Sequence, residues 1–187
     1  MGKIVVTEFV ALDGVIAEPH LWQFPYWNDE QAQFKTAELD ATGALLLGRK
    51  TYEVFAEAWP QRKGDPFADK FNALPKYVAS TTLTNPTWEN TTVIKGDLSD
   101  EVERLKKRYK SDVVVHGSHT LVQDLINRNL VDEYHLLIYP IVRGSGIRMF
   151  EEGTRTKLQL ADSKQFKTGV MSLTYQPEPD QKGRESD

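Results

Sequence analysis

Apolar residues along this chain fall into short runs, and the runs alternate between strand-like and helix-like spacing. Lys3 to Val10 is rich in β-branched residues and reads as a first strand, closed by the Asp13-Gly14 turn. Ala44-Leu45-Leu46-Leu47 and Val113-Val114-Val115 are wholly apolar, as strands buried on both faces are. Tyr77 to Ser80, Thr91 to Lys95 and Val131 to Ile141 are further strands. Lys157 to Lys167 and Val170 to Gln176 form an antiparallel hairpin that turns at Thr168-Gly169.

Helical segments lie between these strands. Asn28, with Gln31 three residues on, caps a helix that runs to about Ala41 and ends at Gly43. Val54, Phe55 and Ala58 belong to a helix after Arg49 that Trp59-Pro60 stops, and Asp65-Pro66 opens a short one. Ser99 caps a helix to about Tyr109, with Asp100, Glu101 and Glu103 in its first turn and Lys106, Lys107 and Arg108 in its last, as the helix dipole prefers. Leu121, Val122, Leu125 and Ile126 define another by their spacing.

Strands alternating with helices predict an α/β domain, a three-layer sandwich with a mixed, mostly parallel sheet of about eight strands. It spans residues 1–176, and the charged, proline-containing segment from Pro177 is expected to be a disordered tail. With 187 residues, 40 % hydrophobic and 10 % aromatic, one well-buried core is possible.

Charge and composition then remove several chemistries. A net charge of −4 without a basic block argues against nucleic acid as a partner. The absence of cysteine excludes disulfides, thiolate nucleophiles and cysteine-ligated metal. His20, His116, His119 and His135 match no zinc spacing, so no metal is expected. A G-x-S-x-G elbow is absent. The start lacks a signal-peptide pattern, and no run approaches the ~20 apolar residues of a spanning helix. A cytoplasmic protein without a membrane partner is the expectation.

The strongest candidate chemistry lies at two strand-to-helix junctions. Gly48-Arg49-Lys50-Thr51 follows one apolar strand, and Gly117-Ser118-His119-Thr120 follows another. Each aims free backbone N–H groups and the positive end of a helix past a strand end, where phosphate can sit. Arg49 and Lys50 oppose the dipole unless an anion is present. The alternative is two ordinary helix starts, with Ser118 or Thr120 as caps. Ser80 and Thr81 end a strand and either cap the loop or meet a ribose. Asp13 is a turn residue that a ligand can also reach. Trp22, Phe24, Trp27 and Phe34, with Tyr26, either fill the core or wall a pocket for a flat heterocycle. Asp29 and Glu30 open the helix carrying Phe34. A carboxyl desolvated there, its pKa raised, is a candidate to orient or protonate such a ring.

Five stretches, in this order and spacing, resemble the dihydrofolate reductase-like family, in particular the reductase domain of the bifunctional riboflavin-biosynthesis deaminase-reductase. They are Ala11-Leu12-Asp13-Gly14, Leu45 to Glu53, His116 to Leu121, Leu130 to Tyr134 and Pro140 to Gly146. The resemblance implies NADPH across the sheet, with phosphate contacts at the Arg49 and Gly117 turns, adenosine near Ser80 and nicotinamide near Asp13 and Gly117. It also implies hydride transfer to a pyrimidine- or pterin-type heterocycle, and a homodimer. Thr7, Ala11 and His116 stand where riboflavin-pathway reductases tend to carry lysine, serine and an acid. That removes partners for a phosphoribosyl-aminopyrimidine, and it favours a rival, a nucleotide-binding or sensing module without turnover.

Overall fold

The protein, described over residues 1–178 by a computed structural model, builds one sheet with helices on both faces. In chain order the strands are β1 (Ile4–Ala11), β2 (Thr42–Gly48), β3 (Lys76–Ala79), β4 (Thr91–Ile94), β5 (Asp112–His116), β6 (Glu133–Tyr139), β7 (Leu158–Gln165) and β8 (Met171–Pro177). The helices are α1 (Asp29–Ala41), α2 (Arg49–Ala58), α3 (Pro66–Ala73), α4 (Leu98–Arg108) and α5 (His119–Asn127). The eight strands run in the order β4-β3-β2-β5-β1-β6-β8-β7. The first six are mutually parallel, and β8 pairs antiparallel with both β6 and β7. This is the mixed, dihydrofolate reductase-like sheet expected.

Alternation along each strand divides the core into layers. Ile4, Val6, Ala44, Leu46, Val113 and Val115 pack against Val102 and Leu105 of α4 and Val122, Leu125 and Ile126 of α5. On the opposite face Val5, Leu45, Leu47 and Val114 meet Leu39 of α1, Tyr52 of α2 and Phe71 and Leu74 beside them. A third apolar cluster holds Trp22, Leu137, Tyr139, Phe166 and Val170.

Three local expectations change. Gly43 does not end α1. The helix closes at Thr42, whose N–H donates to the Leu39 carbonyl, and Gly43 lies inside β2. A Cβ there would sit 3.0 Å from Ser111 Cβ and 3.2 Å from the Tyr109 ring, so close packing favours the glycine. Asp97, not Ser99, caps α4, because its Oδ1 accepts from the N–H groups of Ser99 and Asp100 at 2.9 and 3.4 Å. The last strand runs through Pro177, and the Glu178 N–H donates to the Lys157 carbonyl. The rest of the predicted tail lies outside the described residues. Among those described, no helix is long and apolar enough to cross a membrane.

Candidate functional site

The two predicted junctions are built into each other. β2 and β5 are neighbours in the sheet, so Gly48, the last residue of β2, and Ser118, two residues past the end of β5, lie at adjacent parallel strand ends. Ser118 takes a left-handed backbone (φ 63, ψ 46), and its hydroxyl accepts from the Gly48 N–H at 2.9 Å while donating to the His116 carbonyl at 3.1 Å. A Cβ on Gly48 would come within 3.3 Å of Ser118, and one on Gly117 (φ 52) within 3.3 Å of Thr51 Oγ1. A side chain at either turn would make its neighbour give way by a few tenths of an ångström, and at Gly117 the positive φ favours glycine as well.

Ser118 therefore caps no helix with its side chain, and this has a consequence at the helix starts. Asn28, Asp65 and Asp97 each accept from first-turn N–H groups of α1, α3 and α4. At α2 and α5 no side chain does so. The helices whose first N–H groups are left for a ligand are the two that start at the adjoining strand ends. Both glycine turns hold the backbone in close approach there, and Arg49 and Lys50 are exposed beside them, which fits the phosphates of a dinucleotide. Among the described residues Arg49 pairs with Glu53 alone, at 3.3 Å, and Thr51 is half-buried against Gly117. His119 Nε2 lies 3.5 Å from Glu151, and Thr120 is exposed.

The other predicted residues divide. Ser80 Oγ accepts from the Thr82 and Leu83 N–H groups at 3.2 and 3.0 Å, the loop-capping arrangement, while Thr81 is exposed. Asp13 Oδ2 accepts from the Gly144 N–H at 2.8 Å, tying the end of β1 to the loop after β6 and holding the carboxyl below its usual range. Its Oδ1 is buried without a partner. Among the aromatics, Trp22 is core, edge-on to Tyr139 at 5.2 Å. Phe34 lies between His135 and Phe166, 6.2 Å from each, whereas Phe24 and Trp27 are exposed. The predicted aromatic wall is thus divided between core and surface.

Asp29 sits on the solvent side of α1, in a shallow groove with Ala32, Thr36 and Asp40. Glu30 is not desolvated as predicted. Its Oε2 accepts from the Lys167 N–H at 2.8 Å and from Asn28 Nδ2 at 3.2 Å, and the Lys167 bond is the main cause that holds the carboxyl below its ordinary value.

The larger polar site is one that motif reading missed. His116, Thr7 and His135 face one another in register across β5, β1 and β6, on the face covered by α1. That helix buries Gln31, Lys35 and Glu38 above them, at i, i+4 and i+7. Gln31 Nε2 donates to Tyr139 Oη at 2.7 Å, and Lys35 Nζ donates to Thr7 Oγ1 at 3.1 Å and to Glu38. His135 bonds Glu38 through Nδ1 at 3.0 Å and Glu133 through Nε2 at 2.8 Å. Burial alone would raise the Glu38 carboxyl, but the Lys35 ammonium and the His135 bond hold it well below the usual range. Burial would lower His135, and its bonds to the two carboxylates outweigh that and raise it. His116, packed against Phe55 and Phe71, is pushed down to about 3 by burial and then by Lys35, and is a neutral imidazole. The available signal was the want of an apolar stripe in α1, which points to a polar surface beneath it.

On the other face of β1, Glu8 is buried with Oε1 unpartnered, and burial pushes its carboxyl up to about 8.

The parallel sheet, with two uncapped helix starts at neighbouring strand ends, defines the protein as an α/β domain of the dihydrofolate reductase-like class. The chain belongs to the RibD C-terminal domain family, whose profile matches residues 2–172. It is 30 % identical over 179 residues to the uncharacterized protein YyaP of Bacillus subtilis (strain 168), covering 92 % of this chain and 94 % of that one. A putative riboflavin biosynthesis protein from Shewanella sp. PV-4 shares the fold with a TM-score of 0.76 at 21 % identity, over 95 % of this chain and 99 % of that one. Acinetobacter baumannii RibD, with a TM-score of 0.69 and 15 % identity, is matched over 96 % of this chain and 59 % of its own length.

Proposed function

We propose that the protein is a cytoplasmic, NADPH-dependent reductase that transfers hydride to a pyrimidine- or pterin-type heterocycle and works as a homodimer. The observation that carries the reading is the contrast in capping: of the five α-helices among the described residues, α2 and α5 lack a side-chain cap, and they start together at Gly48 and Gly117. Their free N–H groups, with Arg49, Lys50 and Thr51, bind the cofactor phosphates, and Ser118, His119 and Thr120 complete the second cradle. Bound there, the cofactor supplies the hydride. The polar groups Thr7, Lys35 and His116, with Phe34 beside His135 at the edge of the same face, take the heterocycle.

A fluorescence titration with NADPH and with NADH, read from the tryptophans, tests this. Saturable binding that favours NADPH, and that Arg49→Ala weakens by about tenfold, is the expected result. Absence of binding by either nucleotide overturns the reading. A sensing module without turnover is favoured by one feature, the neutral His116 where an acid is expected. Tight nucleotide binding with no hydride transfer across a panel of pterins and aminopyrimidines would establish that second reading.

A further inference from the structure

The buried groups under α1 form an unbroken chain that reaches the surface at the far end of the sheet. Lys35 Nζ, at Thr7, is its inner end, beside His116 and so next to the Gly117 turn. From Lys35 the chain runs through both oxygens of Glu38, both ring nitrogens of His135 and both oxygens of Glu133, ending at Lys3 and Gln176, each 2.8 Å from Glu133 Oε2. Side-chain exposure is 9 % at Lys35 and 5 % at Glu38, 16 % at His135 and 12 % at Glu133, and reaches 50 % at Lys3. Every interior member both holds and can pass a proton, and every link is a side-chain hydrogen bond. An ion pair needed only to anchor α1 would end at Lys35 and Glu38. Here a histidine joins the carboxylate to a second one near solvent.

We infer that Lys35 is the proton donor of the reaction, and that Glu38, His135 and Glu133 are positioning residues that reload it from water through the opposite end of the sheet. The inference rests on the reductase reading for its hydride. A carbon–nitrogen or carbon–oxygen double bond of the substrate takes hydride at carbon from the reduced nicotinamide and the Lys35 Nζ proton at nitrogen or oxygen. Lys35 is left as the neutral amine. It regains a proton from Glu38 as His135 passes Nδ1–H inward and accepts a proton at Nε2 from Glu133, which draws one from water. One hydride and one solvent proton are consumed; His135, left as the Nε2–H tautomer, regains its Nδ1–H form by exchange with water at its 16 % exposed ring, and the chain is then back in its starting state. Two of the three Nζ hydrogens are used, on Thr7 and Glu38, which leaves the third for the substrate.

The deciding measurement is hydrogen exchange at Lys35 Nζ, followed by nitrogen-15 NMR on the whole protein without nucleotide. Exchange through the chain predicts that His135→Gln, whose amide N–H can still donate to a carboxylate but which has no nitrogen able to take up and release a proton, slows Lys35 exchange by about tenfold. Glu133→Gln, which has the shape of the carboxylate it replaces, slows it as well although it touches neither Lys35 nor Glu38. Unchanged or faster exchange in either variant overturns the relay and leaves a structural ion pair. Because no nucleotide is present, failure of NADPH binding and failure of the relay are separate results. With an active substrate in hand, His135→Gln turnover rises with buffer concentration while the unaltered protein's does not; equal buffer dependence also overturns the inference.

Discussion

The two faces of β1 are built on opposite principles. Toward α4 and α5 the sheet presents Ile4, Val6 and Val10 to leucine, valine and isoleucine, and the single polar exception is Glu8. Toward α1 it presents Thr7, flanked by two histidines, to a helix whose buried positions are Gln31, Lys35, Glu38 and Leu39. Burying apolar area stabilises at roughly 25 cal/mol per Å² whatever the angle of approach. Buried charges repay their desolvation only in a set geometry. The α4–α5 face therefore supplies stability, and the α1 face supplies a fixed arrangement of donors and acceptors across the parallel strands β5, β1 and β6.

Removing one member of the polar face should have the largest effect. Glu38→Ala leaves the Lys35 ammonium and His135 without their shared carboxylate, and a loss of about 3–5 kcal/mol is expected in urea unfolding. Lys35→Met combined with Glu38→Leu should recover most of that stability, because neither charge is then buried alone. If the double variant is as unstable as the single one, the ionic face contributes more to stability than the comparison assigns it. On the apolar face Leu125→Ala, at a fully buried position, should cost about 2–5 kcal/mol with no change in nucleotide affinity.

The exceptions on each face predict a pH dependence. Glu8 has a folded-state pKa raised to about 8 from 4.5, so the folded protein keeps a proton that the unfolded chain loses. Stability from this group is complete below about 4.5, falls as pH rises toward 8 and levels beyond. His135 acts in the same direction, losing its contribution as pH rises through its raised value. Glu38 works oppositely, with its contribution present above 4.5 and lost as acid takes pH down through its lowered value. Glu8→Gln should flatten the slope between about 5 and 8 and spare the acid limb; an unchanged alkaline slope would show that Glu8 does not carry it. The smallest effect expected is that of Asn28→Ala, which deletes the cap on Gln31 N–H and should cost about 1 kcal/mol in thermal or urea unfolding.

Much of this protein is legible in its sequence because the relevant forces act over a few residues. Alternation and β-branching mark β1, β2 and β5, and Pro66 and Asn28 mark helix starts where α3 and α1 begin. Two glycines after apolar runs mark the turns at Gly48 and Gly117. What only the tertiary structure decided is how distant pieces meet. The strand order places β2 beside β5, which turns Ser118 from a helix cap into the partner of Gly48, seventy positions away. The register of β1 with β5 and β6 aligns His116, Thr7 and His135, and only then do Lys35 and Glu38 have a reason to be buried. Local pattern records which face of an element is apolar. A buried polar face is written in no single element, since each group is stable there only through a partner that the fold brings from elsewhere.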